Sequence, residues 1–258
     1  VQIILCESAE QVGRRAADII EARVRQDPAV LGLATGGSPA STYAELIRRH
    51  REEGLRFGDV TAFTLDEYAG LPADHPQSYH STIRREFVDH VDLDLSNLHT
   101  PRGDAEDLVA EAARYDRAIV GAGGVDVQLL GIGANGHIGF NEPTSSLRSR
   151  TRVKTLAVAT RTANARFFEG DDEEVPKLCL TQGLGTIGES RQVVLVALGS
   201  AKAAAVQAMV EGPVSAFCPG SVLQLHPRAT IVLDPGAASQ LTMLEYYRDA
   251  QTLNDGLQ

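Results

Sequence analysis

Tryptophan is absent from this 258-residue chain, and it holds only two methionines and three cysteines. Cys6, Cys179 and Cys218 stand far apart with no C-x-x-C pair, which argues against a disulfide frame, a thioredoxin-like motif or a cysteine zinc site. They read as reduced thiols of a cytoplasmic protein. Long apolar runs are missing too: none approaches the ~18 residues that a membrane span needs. The first six residues are short, uncharged and strand-like, unlike a signal or transit peptide. Positive charge is in deficit, 24 Lys and Arg against 34 Asp and Glu, a net charge of -10. A nucleic-acid backbone requires a basic surface, so no nucleic-acid partner is expected. A small phosphorylated ligand stays compatible, because it needs only two or three local cations. The histidines show neither H-x-H nor H-E-x-x-H spacing, so no metal is expected.

What is present is regular alternation. Strand patterns occur at residues 1–5, 31–34, 60–65, 125–130, 153–158, 192–198 and 229–233. Between them lie helical patterns. Ser8 and Gln11 form a capping box ahead of Val12, Ala16, Ile19, Ile20 and Val24, and Pro39 opens a helix through Tyr43, Leu46 and Ile47. Others are expected near 80–91 and 105–120, and over 162–168, 201–210 and 237–248. Such alternation predicts an α/β fold: a doubly wound, mostly parallel sheet with helices on both faces, Rossmann-like, in one domain spanning 1–258. There is no internal repeat or low-complexity linker. The acidic run at 169–174 reads as a solvated loop.

Residues 131–143, Gly-Ile-Gly-Ala-Asn-Gly-His-Ile-Gly-Phe-Asn-Glu-Pro, follow the apolar strand at 125–130. Glycines let backbone approach a ligand closely, and a His and a Glu five residues apart can move protons near neutral pH. Gly131, Gly133 and Gly136 also fit the G-x-G-x-x-G of dinucleotide sites. Gly139 and Pro143 interrupt the helix that such a site requires. The acid expected ~20 residues on is missing as well, so a catalytic loop is the better reading. Thr35-Gly36-Gly37-Ser38-Pro39 joins a strand to a helix. It suits an anion held on backbone N–H groups and the hydroxyls of Thr35 and Ser38, and equally an ordinary turn with a serine cap. Asp66-Glu67-Tyr68 follows the strand at 60–65, either on the ligand-binding edge of a parallel sheet or as an acidic turn. Arg166 and Lys202, each after a later strand, are surface charges singly and a phosphate clamp together.

The motifs Leu-Ala-Thr-Gly-Gly-Ser-Pro at 33–39, Leu-Asp-Glu-Tyr at 65–68, Gly-His-Ile-Gly-Phe-Asn-Glu-Pro at 136–143 and Leu-Gln-Leu-His-Pro at 223–227 resemble the glucosamine-6-phosphate deaminases, in order over nearly the whole chain. The related 6-phosphogluconolactonases typically have Asp-Glu-Arg where this chain has Asp66-Glu67-Tyr68, and lack the Phe-Asn-Glu-Pro. The resemblance implies conversion of D-glucosamine 6-phosphate and water to fructose 6-phosphate and ammonia, in amino-sugar catabolism, with no metal or organic cofactor. It implies Asp66 as the base between C2 and C1, His137 as the ring-opening group and Glu142 as its orienting partner. Asn135 stands where some members have Asp. Thr35, Gly36, Gly37, Ser38, Arg166 and Lys202 would hold the phosphate. Some members are hexamers activated by N-acetylglucosamine 6-phosphate, so a homo-oligomer is expected, with Ser145, Arg152, Lys154 and Tyr246 at an activator site. The alternatives are a lactonase-type hydrolase and a non-catalytic sugar-phosphate sensor.

Overall fold

The apolar runs become buried strands in the computed structural model, which describes residues 1–26, 28–168, 171 and 174–256. In chain order the strands are β1 (Gln2–Leu5), β2 (Ala29–Leu33), β3 (Val60–Thr64), β4 (Asp66–Tyr68), β5 (Leu98–His99), β6 (Val127–Leu130), β7 (Arg152–Thr155), β8 (Leu178–Thr181), β9 (Gln192–Ala197) and β10 (Ala229–Leu233). Seven form one parallel sheet in the order β1-β10-β9-β6-β2-β3-β5. Its middle strands are covered on both faces, which is why Val193 to Ala197 and the whole of β10 are buried and read as unbroken apolar sequence.

The helices are α1 (Ala9–Val24), α2 (Ala40–Glu53), α3 (Tyr79–Glu86), α4 (Leu108–Gly121), α5 (Val158–Asn164), α6 (Leu184–Gly188), α7 (Ala203–Val210) and α8 (Leu244–Asp255). The expected Ser8 cap is present, its hydroxyl accepting the Gln11 N–H at 3.2 Å. Asp107 caps α4 in the same way, accepting from Val109 and Ala110, so that helix starts three residues later than the apolar pattern suggests. The strand expected at 153–158 stops at Thr155, and Val158 already begins α5. The helix expected at 237–248 begins only at Leu244. Before it, Asp234 takes the Ala237 N–H, and Glu211 takes the N–H groups of Thr242 and Met243, so this backbone is satisfied without a helix.

A second sheet, β4-β8-β7, is antiparallel and lies outside the parallel pattern that the sequence predicts. The chain passes from one sheet to the other at Leu65. Its N–H bonds to Leu33 of β2, and its carbonyl accepts the Gln182 N–H. The two sheets therefore meet at the residue before Asp66. Beneath the second sheet lies a separate apolar cluster that includes Tyr68, Phe140, Phe168, Val175 and Cys179. All three cysteines are free, and Cys6 and Cys179 are buried. Among the described residues no helix is long and apolar enough to cross a membrane. Glu169, Gly170, Asp172 and Glu173 of the acidic run lie outside the described residues.

Strand order reverses between β2 and β6: the chain winds from β2 to β3 and β5 on one side, then returns to β6, β9 and β10 on the other. Loops leaving the C-terminal ends of β2 and β6 diverge there and leave a crevice. Tyr115 of α4, fully buried, braces one rim, its hydroxyl donating toward Thr64 O at 2.7 Å and His99 O at 3.0 Å. Tyr115→Phe is expected to lower unfolding free energy by about 1 to 3 kcal/mol in a urea titration. An unchanged midpoint would mean the hydroxyl does not hold the ends of β3 and β5.

Candidate active site

A cavity of about 970 Å³ fills the crevice. Of the ten residues expected to act on a substrate, nine line it: Thr35, Gly36, Gly37 and Ser38 after β2, Asp66 after β3, Asn135 and His137 after β6, then Arg166 and Lys202. Glu142 is the tenth and stands behind His137, 4% exposed.

The loop after β6 is shaped around the imidazole. A Cβ on Gly133 would fall 2.2 Å from His137 Cε1, so only glycine leaves the ring its place. Gly136 has φ +82°, and a side chain there would also strike Cys218 Sγ at 2.7 Å. The Gly133 N–H donates to the His137 carbonyl at 2.9 Å and closes the turn. These glycines thus serve the histidine, as the interrupted helix pattern suggested.

Asn135, His137 and Glu142 form one unit. The Asn135 amide donates to Glu142 Oε2 at 2.8 Å, and its Oδ1 accepts the His137 N–H at 3.2 Å. An ionised Asp could not make the first of these bonds, so Asn suits a neighbour that stays charged. Glu142 Oε1 accepts the Ala157 N–H at 3.2 Å. His137 Nδ1 is buried without a hydrogen-bond partner, and Glu142 Oε2 is 3.6 Å away, a charge contact longer than a bond. Burial opposes ionisation of Glu142, yet His137, the Thr160 hydroxyl and the Asn135 amide hold its pKa down at about 2.

Asp66 lies in the opposite environment. It is 5% exposed, and burial lifts its pKa well above the ordinary carboxylate value, with the neighbouring Glu67 charge adding to the rise. A carboxyl that lines the cavity thus resists ionisation, while the one behind His137 ionises readily. That contrast separates a proton acceptor of raised basicity from a permanent counter-charge. Also in the cavity lining, the Lys202 pKa is lowered by burial and then by the Arg166 charge. Two cations close enough to disfavour each other, lining the same cavity as the Gly36–Gly37 backbone, are an arrangement that suits an anion.

Several lining residues carried no sequence signal. Tyr79, Thr82, Arg85 and Glu86 reach the cavity from α3, and Thr160 and Asn164 from α5. Tyr68 is fully buried, its hydroxyl accepting from Asn164 at 2.9 Å and from Tyr79 at 3.3 Å.

The four residues expected at an activator site do not all meet. Arg152 is bonded to Ser145 Oγ at 3.0 Å and to Asn141 Oδ1 at 2.9 Å, so it is no free surface cation. Lys154 lies two residues on in β7. Tyr246, 61% exposed, lies elsewhere, at a hollow beside Gln2, Gln192 and Thr230 where β1, β9 and β10 begin, the opposite edge of the parallel sheet.

Residues 6–232 match the family described as glucosamine-6-phosphate isomerases/6-phosphogluconolactonase. The chain belongs to this family. Within it, the glucosamine-6-phosphate deaminase of Rhodococcus jostii (strain RHA1) is 58% identical over 97% of this chain and 96% of its own length. That of Corynebacterium kroppenstedtii is 56% identical over 96% and 95%. Among solved structures, a monomeric glucosamine-6-phosphate deaminase superposes with a TM-score of 0.91 at 46% identity, covering 93% of this chain and all of the other. The 6-phosphogluconolactonase of Trypanosoma cruzi shares the fold, with a TM-score of 0.73 at 20% identity over 93% of this chain and 97% of its own.

Stability should report the Glu142 environment. Its lowered pKa contributes stability above about pH 4.5, lost as pH falls through about 2. Glu142→Gln is expected to be less stable than wild type at pH 7 by up to about 3 kcal/mol, with the gap closing toward pH 3. A gap equal at both pH values would show that the charge is not favoured by the fold.

Proposed function

We propose that this chain, acting as a single domain, is a glucosamine-6-phosphate deaminase that converts D-glucosamine 6-phosphate and water to fructose 6-phosphate and ammonia. The observation that carries the reading is Asp66: a desolvated carboxylate opening onto a cavity that Lys202 and Arg166 also line. A phosphate on those two cations, with the N–H groups of Gly36 to Ser38 and the hydroxyls of Thr35 and Ser38, anchors one end of the sugar. The reacting carbons then fall toward Asp66 and His137. Proton transfer between C2 and C1 needs a base within reach and stronger than a solvated carboxylate, and burial makes Asp66 such a base. His137 exchanges protons with the ring oxygen and the anomeric hydroxyl to open the pyranose. Glu142 compensates the imidazolium that forms, and Asn135 keeps both in register. Water then attacks the resulting C2 imine and ammonia leaves.

The lactonase alternative has less support. Tyr68, where lactonases typically carry Arg, is buried among Tyr79, Phe140 and Phe168. A guanidinium there would be buried in an aromatic cluster. The sensor alternative leaves the desolvated Asp66 and the Asn135–His137–Glu142 unit without use. Both are tested by one assay. The wild-type chain is expected to release ammonia and fructose 6-phosphate in equal amounts from the amino sugar phosphate. Asp66→Asn should lose turnover by a factor of ~100 or more while still binding substrate. Hydrolysis of 6-phosphogluconolactone without ammonia release would select the lactonase, and binding without turnover the sensor.

An activator site for N-acetylglucosamine 6-phosphate is a finer part of the proposal. It is supported by Arg152, which joins Ser145 to Asn141, the residue before Glu142. An anion drawing on that guanidinium would disturb a contact one residue from the catalytic unit. Tyr246 could join such a site only from a neighbouring copy, and a hexamer draws no support from the monomeric relative. Arg152→Ala is expected to remove the response of the initial rate to N-acetylglucosamine 6-phosphate. A wild-type enzyme whose rate ignores that sugar would end the idea.

A further inference from the structure

Glu67 has no part in the roles above, yet it is more deeply buried than Asp66 beside it, 1% against 5% exposed. Its carboxylate accepts three backbone N–H groups. Oε1 takes those of Tyr68 and Tyr79, both at 2.9 Å, and Oε2 takes that of His80 at 3.0 Å. Tyr79 and His80 open α3, where N–H groups have no partner within the helix and the helix dipole favours a negative charge. From this helix Tyr79, Thr82 and Arg85 reach the cavity. One wall of the cavity is therefore tied through a single carboxylate to the strand that carries Asp66.

We propose that Glu67 is a positioning residue for the reaction, its carboxylate holding the first turn of α3 against β4 and so setting the cavity wall that faces Asp66. The proposal rests on the deaminase reading. Glu67 also acts on Asp66 by charge. The other groups around the pair are Tyr68, Tyr79, Tyr115 of α4 and Cys179 of β8, whose pKa values burial raises, and His80, whose pKa burial lowers. Burial also pushes the Glu67 carboxyl itself up to about 7, against the pull of its three N–H donors, so it carries its charge above that pH, and that charge then adds to burial in making Asp66 a stronger base.

Two variants separate reach from charge. Glu67→Gln removes the charge and turns an amide N–H toward a backbone donor. The expected result is a KM raised about tenfold and an acid limb of the kcat/KM pH profile moved down by ~1 pH unit, because Asp66 ionises more easily. Glu67→Asp keeps the charge but is one methylene too short to reach both Tyr79 and His80. It should raise KM about tenfold and leave the acid limb in place. A merely structural role would lower the melting temperature and leave both KM and the acid limb of the folded enzyme unchanged. That result in either variant overturns the proposal, and if Glu67→Gln does not fold, Glu67→Asp decides alone. Absence of ammonia release from the wild type is a different failure: it removes the deaminase reading and the proposal with it.

Discussion

Everything at this site depends on where the strand order of the parallel sheet reverses. β2 and β6 lie side by side, but the chain leaves them in opposite directions, so their loops part and leave a crevice above the sheet. The Gly36–Gly37 backbone and the His137 loop face each other across it because they follow those two strands. Asp66 joins them from β3, and Lys202 from the end of β9, the neighbours on either side. The second, antiparallel sheet begins with Asp66 in β4 and brings Tyr68 to the cavity as well. Leu65 bonds to both sheets, and the residue after it is thereby taken out of water.

Dryness and charge are distributed unequally along the cavity, and the chemistry follows from that inequality. Asp66 has burial and a like charge against its ionisation, while Glu142 has an amide, a hydroxyl and an imidazole in favour of its own. Two carboxyls that follow different strands of the parallel sheet thus acquire opposite tendencies to ionise from their surroundings alone. Arg166 and Lys202 line the same cavity and disfavour one another there, a pairing that suits an anion. Family membership agrees with this distribution: the close relatives are deaminases, and the lactonases stand further off on the same fold.

Much of this was legible before any coordinates, and the misses have particular causes. Long buried strands such as β9 and β10 announce themselves, because burial on both faces demands continuous apolar sequence. β4, β5 and β8 are two to four residues long, too short for a period to show. The segment near 153 is apolar and β-branched enough to read as a strand, yet nothing in its pattern says which sheet it joins. The late start of α8 reflects Glu211, thirty-one residues away in sequence, satisfying backbone that would otherwise have gone into a helix.

The sequence by itself determined the alternating fold class, the glycine-rich loop built for a histidine, and most of the acidic, basic and hydroxyl residues that the cavity brings together. Those features are local, written in propensity, spacing and residue type. Tertiary structure alone decided which carboxyl is desolvated and which stabilised, that α3 supplies a cavity wall through Glu67, and that Arg152 is bonded to Ser145 and Asn141 while Tyr246 lies at the opposite edge of the sheet. Each of these depends on groups brought together from distant parts of the chain. The electrostatic free energy of a charge is set by what surrounds it in space, which no local pattern records.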